Sequence, residues 1–143
     1  MERREWLGLA GAATLATMAS RAVSQSHEHH GGSHPYAKLI AASAACVEKG
    51  QICLAHCLDL LGKGDSELSA CAQSVNQLVS LCDALHHAAA TESKYLRRLA
   101  GVVVDACKDC EHECRKHEKK YPQCSDCAQS CAVCVKECQA VAI

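Results

Sequence analysis

The chain has 143 residues, 49% of them hydrophobic and 22% charged, a size that suits one ordinary domain. A formal net charge of −1, with no cluster of Lys and Arg, excludes the electrostatic footprint of a nucleic-acid binder. Thirteen Cys and 9 His stand beside no Phe, one Trp and 3% aromatics, so the core must be filled by something other than aromatic anchors.

Residues 1–22 read as a targeting segment rather than as part of a fold. Arg3 and Arg4 precede an apolar stretch from Leu7 to Ala19, which is shorter than the about 20 residues a transmembrane helix needs. Ser20-Arg21-Ala22 offers small residues for cleavage after Ala22. The arginine pair resembles a twin-arginine export signal, which predicts an exported, periplasmic or otherwise extracytoplasmic protein with no membrane attachment after cleavage. An uncleaved short anchor is the competing reading. All 13 Cys survive the cut, whereas both Met, at positions 1 and 18, are lost. Residues 23–34 carry His27, His29, His30 and His34 around Gly31-Gly32, a polar composition expected to remain a flexible tail. Such a tail either recruits metal ions or is simply solvated.

From residue 35 to 143 the pattern predicts an all-α domain of four helices. Ser33 or His34 caps a first helix that has Pro35 at its first position and stops at Gly62-Lys63-Gly64. Asp65 or Ser66 caps a second, running to about Ala89; Thr91 followed by Glu92 opens a third, ending near Glu118. Tyr121-Pro122 interrupts the chain, and a fourth helix runs to about Val141. No segment alternates with period two, and the connections are short, so an antiparallel four-helix bundle is expected.

The cysteines fall on the inner seam of those helices. Cys124, Cys127, Cys131, Cys134 and Cys138 advance by alternating steps of 3 and 4, as do Cys107, Cys110 and Cys114. Cys46, Cys53 and Cys57 are separated by seven and four, and Cys71 and Cys82 by eleven. Each can occupy an a or d position, with Leu39, Leu60, Leu68, Val75, Leu78, Leu85, Leu96 and Val103 at the remaining seam positions. A small-hydrophobe role accounts for two or three buried Cys, not for this number.

Several chemistries use many cysteines. A disulfide scaffold meets an odd count, and i, i+3 or i, i+4 neighbours have Cβ atoms about 5–6 Å apart, beyond disulfide reach; bridges between helices stay open. Two thiolates sharing one ion lie about 4.6 Å apart, twice a metal–sulfur bond near 2.3 Å, which helical neighbours suit. Soft thiolates select Cu(I), zinc or iron–sulfur clusters. Cys107-x2-Cys110 and Cys124-x2-Cys127 look like zinc knuckles, so a zinc or metallothionein-like buffer is an alternative. Iron–sulfur loops use other spacings. As loading nears one Cu(I) per thiolate the buried charge approaches neutrality, which favours a monovalent ion at high loading. A thiol oxidoreductase would need a CxxC at a helix N-terminus, which only Cys124-x2-Cys127 approaches. No catalytic constellation stands out, and the chain is not expected to be an enzyme.

The segment Cys46-Val-Glu-Lys-Gly-Gln-Ile-Cys53-Leu-Ala-His-Cys57, the Cys71–Cys82 spacing and the two ladders of the third and fourth helices together resemble the bacterial copper storage proteins. The resemblance spans the mature chain from Tyr36. It implies a four-helix bundle storing multiple Cu(I) ions, with each of the 13 cysteines as a ligand, outside the cytoplasm. It further implies a homo-oligomer, by resemblance a tetramer, and exchange with a copper-delivering or copper-receiving protein. One departure is that exported relatives place Met at the open end, and the mature chain has none. In an antiparallel bundle Cys57, Cys71, Cys114 and Cys124 gather at one mouth, flanked by His56 and His117 as ion-admitting ligands. Tyr36, Leu39, Leu85 and Leu96 plug the other end, with His86 and His87 nearby, and His112 falls on the outer face.

Overall fold

A computed structural model describes residues 34–142. The sequence readings on residues 1–33, the export signal and most of the histidine tail, lie outside them. Four helices follow in order: α1 (Ala37–Gly62), α2 (Ser69–Ala90), α3 (Leu96–Arg115) and α4 (Pro122–Gln139). Each packs against two neighbours, α1 with α2 and α4, and α3 with α2 and α4. Across either diagonal the backbones stay apart and only side chains meet, so the four helices enclose a central axis. Short connections keep consecutive helices antiparallel, as the sequence pattern predicts.

The helix ends show what local chemistry decides. At the start of α1, Pro35 lies in a turn rather than in the helix, and Tyr36 is the N-cap without a side-chain cap bond. His34 does the joining instead: its Nδ1 accepts from the Tyr36 N–H at 3.2 Å while its Nε2–H reaches the Ala90 carbonyl at 3.3 Å. One neutral tautomer satisfies both contacts and ties the start of α1 to the end of α2. Lys63 closes α1, and Gly64, at φ +89°, makes the turn that a side chain would disfavour. Asp65 accepts from the Glu67 N–H at 3.1 Å and opens a short 3-10 turn, Ser66–Leu68, that leads into α2.

Three further boundaries differ from expectation. Thr91 does not open α3; its hydroxyl donates to the His87 carbonyl at 2.8 Å and closes α2. The chain then turns through Glu92, at φ +50°, and α3 begins only at Leu96. At its far end α3 stops at Arg115, because the turns from Lys116 to Lys120 take over its last hydrogen bonds. Helix α4 stops at Gln139, two residues short of the expected Val141. Pro122 sits in its first turn, where no N–H is required.

The core divides along the bundle axis. Toward the α1 start and the α2 end it is aliphatic: Leu39, Leu85 and Leu96 are buried there, with Ala89 and Ala100 between them. Each fully buried Leu contributes about 1.5–3 kcal/mol of transfer free energy, which makes this plug the main hydrophobic anchor. The hydroxyl of Ser43, the one buried polar residue among those described, donates to the Leu39 and Ile40 carbonyls at 2.9 and 3.0 Å. On α2, Val75 and Leu78 fill the seam between Cys71 and Cys82. The seam assignment fails at Leu60, which is only partly buried because it lies where α1 runs out toward the loop. Gly50 brings α1 close to α2: a Cβ there would meet Val79 Cγ2 at 2.7 Å.

Candidate metal centre

Every one of the 13 cysteines is free, and every one is fully buried at 0% exposure. Helical periodicity explains how: steps of three and four keep a side chain on one face, and each helix turns that face to the axis. The result is a column of sulfur from the mouth to the plug.

The sulfurs touch within helices and between them. Cys71 of α2 and Cys114 of α3 stand 3.5 Å apart, Cys53 of α1 and Cys124 of α4 3.9 Å, and Cys110 and Cys127 3.8 Å. Along single helices, Cys110 lies 3.9 Å from Cys114 and Cys134 lies 3.8 Å from Cys138. The Cys46 thiol donates to the Ser130 carbonyl at 3.2 Å. None of these separations is a covalent S–S bond, near 2.05 Å.

Four groups have all their sulfurs within 4.8 Å of one another. From the mouth inward these are Cys53, Cys57, Cys71 and Cys124; then Cys53, Cys114 and Cys127; then Cys110, Cys127 and Cys131; and last Cys46, Cys82, Cys107 and Cys134. The first two share Cys53 and the middle two share Cys127, so these groups run into one another. Cys138 extends the last group through Cys134.

Burial disfavours thiolates, while hydrogen bonds between neighbouring sulfurs set some thiols against others. Cys53 is held far above the ordinary thiol range, first by its bond with Cys114, and Cys82 and Cys131 are raised first by bonds with Cys107. Cys134 is pulled down to about 5, chiefly by Cys107, with Cys138 and Cys82 adding to the effect. Cys46, Cys71 and Cys127 also lie low, first through Cys107, Cys114 and Cys110. An arriving cation supplies what lets the thiols held above the ordinary range ionise.

The histidines behave differently. The His56 ring packs edge-on to Tyr121, with centroids 4.6 Å apart, and its Nε2 is buried without a hydrogen-bond partner. His117 follows the end of α3 in a turn, half-buried, where its backbone bonds Cys114 and accepts from Lys120 and Tyr121. Neither ring joins a thiol group, since the metal-competent groups among the described residues contain cysteine alone. His112 is exposed, as expected, and His86 points its Nδ1 at the Ile40 carbonyl, 3.2 Å away. The sequence reading missed the seat of Tyr121 against His56 and the Ser130 carbonyl beneath Cys46. No residue-type signal marks a backbone acceptor, and Tyr121 reads in sequence only as part of a break.

A bundle lined by thiols can hold soft monovalent cations in two- or three-coordinate sulfur sites along its axis. No helix among the described residues is long and apolar enough to cross a membrane. No curated protein sequence matches the chain. The Cu(I)-bound copper storage protein BsCsp3 is similar in structure, with TM-score 0.67 and 26% identity over 76% of this chain and 99% of that protein. The apo copper storage protein 3 of Bacillus subtilis gives TM-score 0.65 and 25% identity over 74% and 97%. The family model described as Csp, copper storage protein, matches residues 32–143, the whole bundle with its sulfur column. By its helices, its cysteines and this match, the chain belongs to the copper storage protein family.

Proposed function

We propose that this protein stores Cu(I), many ions per chain, on the thiolates of all 13 cysteines at about one ion per thiolate. The observation that carries the reading is the overlap of sulfur groups through Cys53 and Cys127. Shared sulfurs bridge ions, and bridging lowers the negative charge per ion in a core that water does not reach. Storage is the role that a column of fully buried thiols supports. We place the protein outside the cytoplasm on the strength of the Arg3-Arg4 signal, as a homo-oligomer that exchanges copper with a delivering or receiving partner. His56, with its unpartnered Nε2 beside the mouth, and His117 serve as admitting ligands.

An anaerobic Cu(I) titration of the reduced protein against a chromophoric chelator, with a parallel thiol count, tests the reading. Copper is expected to be withheld from the chelator up to about ten or more equivalents, following one soft ion per thiolate. Uptake that ends at one or two equivalents, or a purified protein with few free thiols, would overturn it.

A further inference from the structure

The Cys57, Cys71 and Cys124 thiols at the mouth have no exposed surface. An ion that exchanges with them must therefore displace a side chain first. Two rings flank this group: His56 directly precedes Cys57 on α1, and Tyr121 is the N-cap of α4, three residues before Cys124. They meet edge to face, with centroids 4.6 Å apart and an interplanar angle of 62°. The contact joins α1 to α4 beside two thiols of one group.

Tyr121 is anchored by its backbone and held more loosely by its side chain. Its N–H donates to the His117 carbonyl at 3.0 Å, and its carbonyl accepts from the Cys124 and Ser125 N–H groups at 3.1 and 3.3 Å. The ring, partly buried, packs against the edge of the core. The Lys120 ammonium lies 4.9 Å from its centroid, a cation–π contact. Lys120 is held above its ordinary value first by Tyr121 and then by the Asp65 and Glu67 carboxylates, which belong to the connection between α1 and α2. Neither the His56 contact nor the Lys120 contact involves the backbone, so a rotation about χ1 breaks both and leaves α4 as it is.

His56 shows what the ring holds shut. Its Nε2 is buried with no hydrogen-bond partner, and an orphaned polar atom in a packed site calls for a partner in some other state. Imidazole nitrogen accepts a copper ion in that role. We infer, resting on the storage of Cu(I) proposed above, that Tyr121 is a positioning residue that gates the mouth: its ring rests on His56 and closes the route to Cys57 and Cys124, and its rotation frees His56 Nε2 to pass Cu(I) to the thiols. The ring binds no ion itself. It sets the rates of uptake and release and leaves capacity and affinity unchanged, because a barrier common to both directions cancels from their ratio.

The first arm of the test needs no copper. The reduced full chain is treated with iodoacetamide under anaerobic conditions, and the initial rate of labelling at each cysteine is read by tandem mass spectrometry. Tyr121→Ala is expected to raise the rates at Cys57 and Cys124 by about tenfold, the combined worth of one aromatic pair and one cation–π contact, while Cys46, Cys82 and Cys134 keep their wild-type rates. Tyr121→Phe retains the ring and is expected to retain the slow rates. Circular dichroism checks the fold of each variant, and Tyr121→Val carries the same test if Tyr121→Ala unfolds. A merely structural role for Tyr121 speeds labelling at all the cysteines together, or is matched by Leu60→Ala, a partly buried side chain at the same end. Either result, or no acceleration, would overturn the inference. In the second arm, Cu(I) uptake and its withdrawal by a chromophoric chelator are expected to quicken by the same factor in Tyr121→Ala, with the number of ions held unchanged. A change in one direction alone, or a loss of capacity, counts against the gate. The two readings fail separately: a wild-type chain that takes up only one or two ions removes storage, whereas a chain that fills normally, at the same rate with or without the Tyr121 ring, removes the gate.

Discussion

The two ends of the bundle solve the same packing problem with different atoms. At the plug, Leu39, Leu85 and Leu96 close the space between helices with branched carbon, and at the mouth Cys57, Cys71 and Cys124 close it with sulfur. Both ends are fully buried, and although Leu68 adds one aliphatic side chain beside the mouth, the first carries more of the branched carbon. Thiols are small and weakly hydrogen-bonded, so they hold a core without the interlocking that leucines provide. The division lets one fold keep its shape from one end and change its contents at the other.

Loading with copper should blur that contrast most. Each ion that binds the folded chain alone adds about 4 kcal/mol at a free concentration a thousandfold above its dissociation constant. The filled protein is therefore expected to resist urea concentrations that unfold the metal-free one, as circular dichroism would record. Leu85→Ala comes next: truncation at a fully buried plug position is expected to lower the stability of the metal-free bundle by about 2–5 kcal/mol while leaving Cu(I) capacity unchanged. Equal loss of capacity and stability would mean that the two ends are not separable. Gly50→Ala pushes a methyl group against Val79 and should cost about 1–3 kcal/mol in the same urea assay.

The pH response sharpens the comparison from the sulfur side. Thiols such as Cys53, Cys82 and Cys131 keep their protons in the native state above the ordinary value of 9.0, at which unfolded thiols ionise. Their contribution is complete below pH 9 and is lost as pH rises, by about 1.4 kcal/mol per thiol per unit until the native thiol titrates. Cys134, down at about 5, acts in the opposite sense, its contribution present above 9 and lost as pH falls toward 5. Urea unfolding of the metal-free protein between pH 8.5 and 10.5 is expected to show stability falling. A flat profile would mean that Cys53, Cys82 and Cys131 do not hold their protons in the native state.

Much of this was legible in the sequence because sulfur and leucine obey the same helical arithmetic. The steps of three and four in α3 and α4 place each Cys on the axis whatever the details of packing, and all 13 are found there. Helix ends were less legible. Thr91-Glu92 has the composition of a helix start, but the Thr91 hydroxyl reaches back to His87 instead of forward, a choice set by the turn through Glu92. Leu60 fits the seam by spacing and misses burial by position, two residues from the end of α1. Which sulfurs meet across helices was beyond the pattern. That Cys71 faces Cys114, and that Cys46 joins Cys82, Cys107 and Cys134, depends on the stagger imposed by the three connecting segments, and helical periodicity is blind to stagger.

The complete burial of the thiols also governs what other molecules can learn from this one. Since none of the 13 sulfurs contributes to the outer faces, a protein approaching those faces meets the same charges and the same side chains whether the column is empty or full. Knowledge of how much copper is inside is confined to the mouth, the end at which the His56 and Tyr121 rings pack against each other. A partner that withdraws metal only from a laden bundle must therefore read that end, and the rest of the surface is free to serve assembly without betraying the contents.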